Sequence, residues 1–441
     1  MSENENIVNF FPTKRLLVEI ITKDINVHDS ILDLIDNSVD SYARHKIRDR
    51  RKIEIEITNK SLIIEDNCGG IDKDTLMNHV FRSGELPGFV AQTIGYYGIG
   101  LKRALFKLAD EFVFETYDGK DYSKISMNVK DWKEKDDSDW NIPLDIKDKI
   151  SLKGKKPFTK ITVNKYKEEI PRILTTIFIN KLKSDLSIYY TRFIEKDIQF
   201  VFNKVQVEAF DLEATYSKEI RPILIDEIYE NVKYKIYCWV EPKADSRDVR
   251  VQEKNGWNIF MNKRLIMIND KSSVTGWSRE NNELPNYHNI YNQFRGMVMI
   301  ESSDPSLLPI NTTKNNFNLE HPFYHHIKKR MIETARPIIT YLSNKYNRDK
   351  IDNVDREIDQ EINKDIVDKK ELKTTPIDDL KPQSKFNPPK LKKKPDTAKI
   401  IFERPQKKVD KVKQIYNLRS NPEVGAYTFD YFWSSEELEN E

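Results

Sequence analysis

Apolar residues recur along the first third of the chain with two different periods. Over residues 27–42, Val27, Ile31, Leu34, Ile35 and Val39 fall at helical spacing behind an arm, and Asn26 or Asp29 can cap that helix. From residue 52 to 58 the period changes to two, with Ile53, Ile55 and Ile57 on one face, and residues 61–65 supply a second strand. A short helix capped by Asp72 covers residues 75–81, and a Gly- and Pro-containing segment follows. A second apolar-periodic helix then spans 101–108. Alternation returns at 111–117, 123–129 and 158–163, with a charged loop over 130–156.

Beyond residue 168 the pattern starts again as a mixture of helices and strands. A helix is predicted over 170–190, strands over 198–207, 232–240 and 257–266, and a long helix over 321–347. A charged helical stretch then passes into Pro- and Lys-rich sequence that reads as a linker, with a short strand at 400–402, a basic helix at 409–418 and an aromatic cluster at 427–433. This divides the chain into 1–168, 169–348, 349–399 and 400–441. Five aromatics in so short a tail predict docking on the body, on a second copy or on another protein.

Composition narrows the setting. No run of eighteen apolar residues could span a membrane, and the two cysteines, Cys68 and Cys238, form neither a disulfide framework nor a zinc pattern. A reducing cytoplasm is the simplest location. Net charge is +2, but residues 381–420 hold 13 Lys and Arg against 3 Asp and Glu, a local +10. That strap suits a polyanion such as DNA, and equally a solvated linker extended by its own repulsion.

Three short runs carry the chemistry. On the first helix Asp33, Asn37 and Asp40 stand at i, i+4 and i+7 and share a polar face; this suits a cation or phosphate cavity, or merely an amphipathic surface helix. The run Asp66-Asn-Cys68-Gly-Gly70 ends the hairpin with a carboxylate at a turn that admits close backbone approach. Then Gly95, Gly98 and Gly100 open directly into a helix, which bares N–H groups toward an anion, with Lys102 and Arg103 adding charge.

In this order and spacing the three runs resemble the GHKL ATPases, the superfamily of gyrase B subunits, heat-shock chaperones, histidine kinases, MutL and MORC proteins. The resemblance implies an α+β fold. A Bergerat-type α/β sandwich would bind ATP with Mg2+, followed by a transducer-like α/β domain and a partly disordered C-terminal tail. By that resemblance Asn37 ligands the Mg2+, Asp33 orients the attacking water, Asp66 and Gly70 read the adenine, Gly95, Gly98 and Gly100 hinge an ATP lid, Lys102 lies at the phosphates, and Thr159 lies on the adenine side. Asp33 stands where the family usually has Glu, and Cys68 where it has Gly. In the second domain the strand bearing Asn262 and Arg264 is similar to one in MutL- and MORC-like transducers. The loop at residues 306–317 is similar to the one whose lysine, here Lys314, reaches the γ-phosphate. The alternative is an ordinary loop lysine, and the place of Lys314 before a long helix and after a Pro-containing strand end favours the catalytic reading.

The resulting expectation is an ATP-gated dimerising clamp of the MORC/MutL kind. It would form a homodimer with ATP, act on DNA through residues 381–420, engage a partner protein through the aromatic tail, and have a possible place in bacterial antiviral defence. A protein-remodelling chaperone and a nucleotide sensor with little turnover are the alternatives.

Overall fold

The computed structural model describes residues 12–436 apart from 83, 85–91, 96–97, 148–151, 153, 218–219, 242–254, 281, 352–371, 384, 388–399 and 402. The expected N-terminal arm lies almost wholly outside the described residues. The chain divides into a unit of residues 1–389 and one of residues 390–441.

Thr13 caps helix α1 (Lys14–Lys23), which falls within the stretch read as an arm, and Asn26 caps α2 (Val27–Arg44) by accepting from the Asp29 N–H at 2.8 Å. The hairpin forms as β1 (Arg51–Ile57) and β2 (Leu62–Asp66). Asp72 caps the short α3 (Lys73–Thr75), which loosens into a π turn over Leu76–Val80. Next come α4 (Gly100–Leu108), β3 (Ala109–Tyr117) and β4 (Tyr122–Asn128). Asn128 ends β4 one residue early, because its side chain caps α5 (Val129–Glu134) through the Lys130 and Asp131 N–H groups. Within the stretch read as a charged loop lies β5 (Leu144–Lys147), and β6 (Phe158–Tyr166) follows. Helices α2 and α4 pack on each other and cover the sheet, α2 over β1 and β2, α4 over β3 and β6. The isoleucines of β1 are buried beneath them.

The sheet does not stop at residue 168. Helices α6 (Ile170–Ile173), α7 (Thr176–Tyr189) and α8 (Thr191–Lys196) form a crossover that brings β7 (Ile198–Phe202) parallel to β1, with β8 (Val205–Gln206) at the edge. The order is β5-β4-β3-β6-β2-β1-β7-β8. A strand's own alternation does not say which sheet it will join, and a parallel partner can sit far away in sequence.

A second sheet, ordered β10-β11-β14-β12-β13, contains β10 (Ile223–Tyr229), β11 (Val232–Val240), β12 (Gly256–Met261), β13 (Arg264–Asp270) and β14 (Phe294–Glu301). Helix α9 (Pro322–Ile351) packs against β11 and β14. A buried cluster including Trp239, Phe260, Leu265 and Met297 also takes in Ala214 and Tyr216 of β9 (Glu213–Ser217).

The segment read as a linker over 349–399 is ordered in part. Strand β15 (Leu372–Pro376) pairs antiparallel with β9, Ile377 is buried in the cluster just described, and Arg192 grips Asp378 with two hydrogen bonds of 2.8 Å. Its polar composition hides a few anchoring side chains, and the strand it pairs with and the arginine that grips it lie more than 150 residues away in sequence.

The C-terminal unit contains a pair of helices. Helix α10 (Gln406–Tyr416) ends at Asn417, which adopts a left-handed φ of 58°, and α11 (Asn421–Ser435) begins from a Ser420 cap. Residues 400 and 401 form no strand, and 402 lies outside the described residues. The aromatic cluster falls on α11: the Tyr427 ring sits 4.5 Å from that of Tyr416, while Phe429, Tyr431, Phe432 and Trp433 are exposed on the described surface. No described helix is long and apolar enough to cross a membrane.

Candidate functional site

Helix α2 is buried nearly all round, not only on its apolar stripe, so it is not an amphipathic surface helix. Asp33, Asp36 and Asp40 retain 3%, 1% and 2% of their exposure. Carboxylates buried so deeply need partners, and those partners define the site.

Asp33 accepts from the Arg103 guanidinium of α4 on Oδ2, at 2.5 Å from Nη2 and 3.2 Å from Nε, and its Oδ1 lies 3.2 Å from Lys314 Nζ. Asp36 accepts three hydrogen bonds: 2.7 Å from Arg264 Nε, 2.7 Å from the Tyr190 hydroxyl and 2.9 Å from Lys314 Nζ. Burial alone would raise the Asp36 carboxyl; Arg264 and Lys314 overcome it and hold the group below its ordinary value. For Lys314, burial pulls the ammonium down, and Asp36, Asp33 and Asp40 together raise it. Asp40 accepts from the Ile94 and Gly95 N–H groups at 2.7 and 2.8 Å, and burial pushes its carboxyl up. A Cβ at Gly95 would lie 2.8 Å from Asp40 Oδ2, so this clamp needs glycine.

These groups border a cavity of about 280 Å³. At one end Asp66 closes β2. Its carboxylate accepts from the Ser38 hydroxyl at 2.7 Å and the Cys68 N–H at 2.8 Å, and burial lifts it to about 6. Sheet register places Thr159 opposite Asp66 and Thr116 opposite Thr159, so three polar side chains cross β2, β6 and β3 in a row. The Thr116 hydroxyl accepts from the Ile71 N–H at 2.8 Å. Gly70 has a φ of 69°, and a Cβ there would meet the Tyr117 carbonyl oxygen at 2.1 Å, so no larger residue fits. Cys68 is accommodated by complete burial of its side chain, which raises the thiol.

At the other end, Gly98 takes a φ of 60° and Gly100 begins α4 behind Ile99, which makes no side-chain cap bond. The N-cap residue therefore leaves the first amides of this nine-residue helix without a side-chain cap of its own, an arrangement that favours an anion. Asn37 lines the same cavity; its amide NH2 donates to the Asp33 carbonyl at 2.7 Å, which leaves the amide oxygen as the outward polar atom.

The loop after the second sheet supplies the remaining wall. Asn262 and Lys263, with φ of 43° and 70°, turn β12 into β13 and aim Arg264 at Asp36. The Asn262 amide donates to the carbonyls of Thr93 (2.8 Å) and Ser302 (3.0 Å), tying the base of the glycine loop to the second sheet. Asn311, Thr312 and Lys314 line the cavity, the Thr312 carbonyl accepts from Arg103 at 3.1 Å, and Lys314 itself adopts a left-handed φ of 55°. A β-carbon residue in that region costs about 1–2 kcal/mol, here offset by the Asn311 turn around it.

Of the residues singled out in the sequence, Asn37, Asp66, Gly70, Gly95, Gly98, Gly100, Lys102, Thr159 and Lys314 converge on one cavity. Two differ in detail from expectation. Asp33 stands behind Arg103 and Lys314, not on the cavity wall. Lys102 directs its ammonium to the Val80 and Arg82 carbonyls at 3.0 and 2.8 Å, away from the glycine loop, and burial lowers it to about 8. Ser38, Thr116 and Tyr190 join the site without a sequence signal. Asp36, which the family resemblance matches to a second carboxylate before the Asn and makes a less likely base than Asp33, is held by three donors.

Residues 25–166 match the family described as histidine kinase-, DNA gyrase B-, and HSP90-like ATPase. No curated protein matches the chain. The match covers α2, the glycine loop, the sheet through β6 and the Asp66–Thr159 row, and it ends before the residues that supply Arg264 and Lys314. The α+β architecture of residues 25–166 is consistent with the GHKL-type ATPase domain that this match describes.

Proposed function

We propose that this chain binds and hydrolyses ATP as a two-domain switch, in which the terminal phosphate competes with Asp36 and Asp33 for Lys314. The observation that carries the reading is the position of the Lys314 ammonium, 2.9 Å from Asp36 and 3.2 Å from Asp33 and on the wall of the cavity that also holds Asn37 and the glycine loop. The donor set suits the substrate: a carboxylate at the adenine end, glycines where a Cβ would collide, and uncapped helix amides at the phosphate end. Mg2+ needs only one or two protein oxygens, and the Asn37 amide oxygen fits that demand; the ion neutralises the β- and γ-oxygens when bound.

The switch follows from the charge balance. When Lys314 moves to a phosphate, Asp33 loses the cation on Oδ1 and keeps Arg103 on Oδ2, so one carboxylate oxygen becomes available to orient water. The same movement leaves Asp36 with Arg264 and Tyr190, and the contact between domains changes with the phosphate. Clamping on DNA with ATP-dependent dimerisation, as in MORC and MutL proteins, extends this reading and draws support from the +10 charge of residues 381–420.

Turnover of Mg2+·ATP by wild type, Asp33→Ala and Asn37→Ala tests the site. Loss of at least tenfold in both variants is expected, and a rate unaltered in both would refute it. For the client, duplex DNA binding should weaken steeply with salt, and deletion of residues 390–441 should flatten that slope. Indifference to the deletion would exclude this segment as the DNA contact.

A further inference from the structure

The guanidinium of Arg103 lines the cavity described above, and its hydrogen bonds leave one nitrogen over. Nε and Nη2 donate to Asp33 Oδ2 at 3.2 and 2.5 Å, and Nη2 also donates to the Thr312 carbonyl at 3.1 Å. Nη1 donates to no partner among the described residues, although Arg103 is only 5% exposed. It is not sealed in the interior either, so an occupant of the cavity can meet it. Two unused N–H groups on so deeply buried an arginine are costly unless a ligand supplies the acceptor.

The surroundings favour an anionic acceptor. Asp33 takes Arg103 on Oδ2 and Lys314, at 3.2 Å, on Oδ1, so the two cations flank one carboxylate. That carboxylate lies against the start of α4, where a Cβ on Gly100 would be 3.5 Å from its carboxyl carbon. Three cations, Arg103, Lys314 and Arg264, here meet two carboxylates, Asp33 and Asp36. Asp40, the third carboxylate of α2 in the cavity region, has Arg44 at 4.0 Å. Lys102, the cation expected at the phosphates, is turned instead to the Val80 and Arg82 carbonyls.

We propose that Arg103 is a further catalytic residue, whose Nη1 donates to an oxygen of the terminal phosphate while Nε and Nη2 hold Asp33. This rests on the ATP reading above. One planar group then fixes the water-orienting carboxylate relative to the phosphate, which a lysine could not do. As the water oxygen bonds to the terminal phosphorus, the bond to the bridging oxygen breaks and its electron pair leaves on ADP. The water proton passes to the Asp33 oxygen that Lys314 vacates, and Arg103 offsets charge on the phosphoryl oxygens. Its bond to Thr312, two residues before Lys314, brings the lysine's loop to the same phosphate.

The test uses the full chain with Mg2+ and a fluorescent ADP, titrated with and without aluminium fluoride, a mimic of the phosphoryl group in transit. Wild type should bind the ADP at least about 10²-fold more tightly with aluminium fluoride. Asp33→Asn leaves Arg103 in place and should keep most of that gain while losing turnover. Asp33→Asn/Arg103→Gln strands no buried charge; its gain should be at least about tenfold smaller than that of Asp33→Asn, with affinity for ADP alone within about twofold. Arg103→Lys, a second variant that keeps the charge, should lose at least about fivefold of the wild-type gain. Equal gains in Asp33→Asn and the double variant, with Lys314→Met still reducing the gain, would overturn the Arg103 contact and leave the ATP reading standing. No gain in wild type would overturn both.

Discussion

The buried ion pair between Arg264 and Asp36 joins the two sheets, and its removal should be measurable as stability. The Asp36 and Arg264 side chains are 1% and 5% exposed and meet at 2.7 Å, with the guanidinium also 5.4 Å from the Tyr190 ring centre. Arg264→Met keeps most of the volume but strands a buried carboxylate with two donors in place of three. Removing one member of such a pair costs about 3–5 kcal/mol; because Lys314 and Tyr190 remain, the lower end, about 3 kcal/mol, is expected. The double variant Asp36→Asn/Arg264→Met removes both charges and should recover most of the loss, giving a coupling of about 2 kcal/mol. Urea unfolding of wild type, both single variants and the double variant, followed by circular dichroism at pH 7, supplies the four values. The pH adds a sign. The folded protein holds Asp36 below its ordinary 3.8, so its pairing stabilises above about pH 4 and fades as pH falls through the lower, folded-state value. The gap between wild type and Arg264→Met should therefore narrow in acid. Additive single-variant effects, within about 0.5 kcal/mol, would refute the claim that this pair ties α2 to the second sheet.

Other outcomes follow from the same geometry. Burial lifts Asp66 to about 6, and an adenine amino group needs the ionised acceptor, so ATP affinity should fall roughly tenfold per pH unit below that value. Asp66→Asn should flatten the dependence in a fluorescent-nucleotide titration. For stability the same raised value acts in the opposite sense, favouring the folded state as pH drops from about 6 toward 4. Gly70→Ala combines a left-handed φ with a backbone collision and should cost about 2 kcal/mol or more while abolishing nucleotide binding. Ile377→Ala empties a fully packed position under the returning strand and should cost about 2–4 kcal/mol, with faster proteolysis near residues 372–383.

Much of the fold over residues 25–166 was legible in the sequence because its signals are local. A cap, an apolar period of 3.6 and a change to period two place α2, β1 and β2 within a residue or two. Most of the cavity residues lie in three short runs, and the resemblance those runs carry implied the others, Thr159 and Lys314. Long-range pairing was not legible. Nothing in the alternation of β7 says that it joins β1, and nothing in the polar stretch around Ile377 says that it pairs with β9. The ion network was hidden for a related reason. Asp36 matches a second carboxylate before Asn37 in the sequence, but its partners come from positions 190, 264 and 314. Likewise Lys102 sits where a phosphate ligand was expected, yet the helical turn ending at Val80 claims its ammonium.

The ratio of ATP to ADP affinity in Lys314→Met tests most directly whether the Lys314 ammonium serves the terminal phosphate. Calorimetric titration of wild type should show tighter binding of ATP than of ADP in the presence of Mg2+. In Lys314→Met that preference should vanish while ADP affinity stays within about twofold, and turnover should fall by about 10²-fold or more, the loss typical of removing a charge-stabilising donor. An undiminished preference for ATP in the variant would contradict the account, since the lysine would then belong to Asp36 and Asp33 alone.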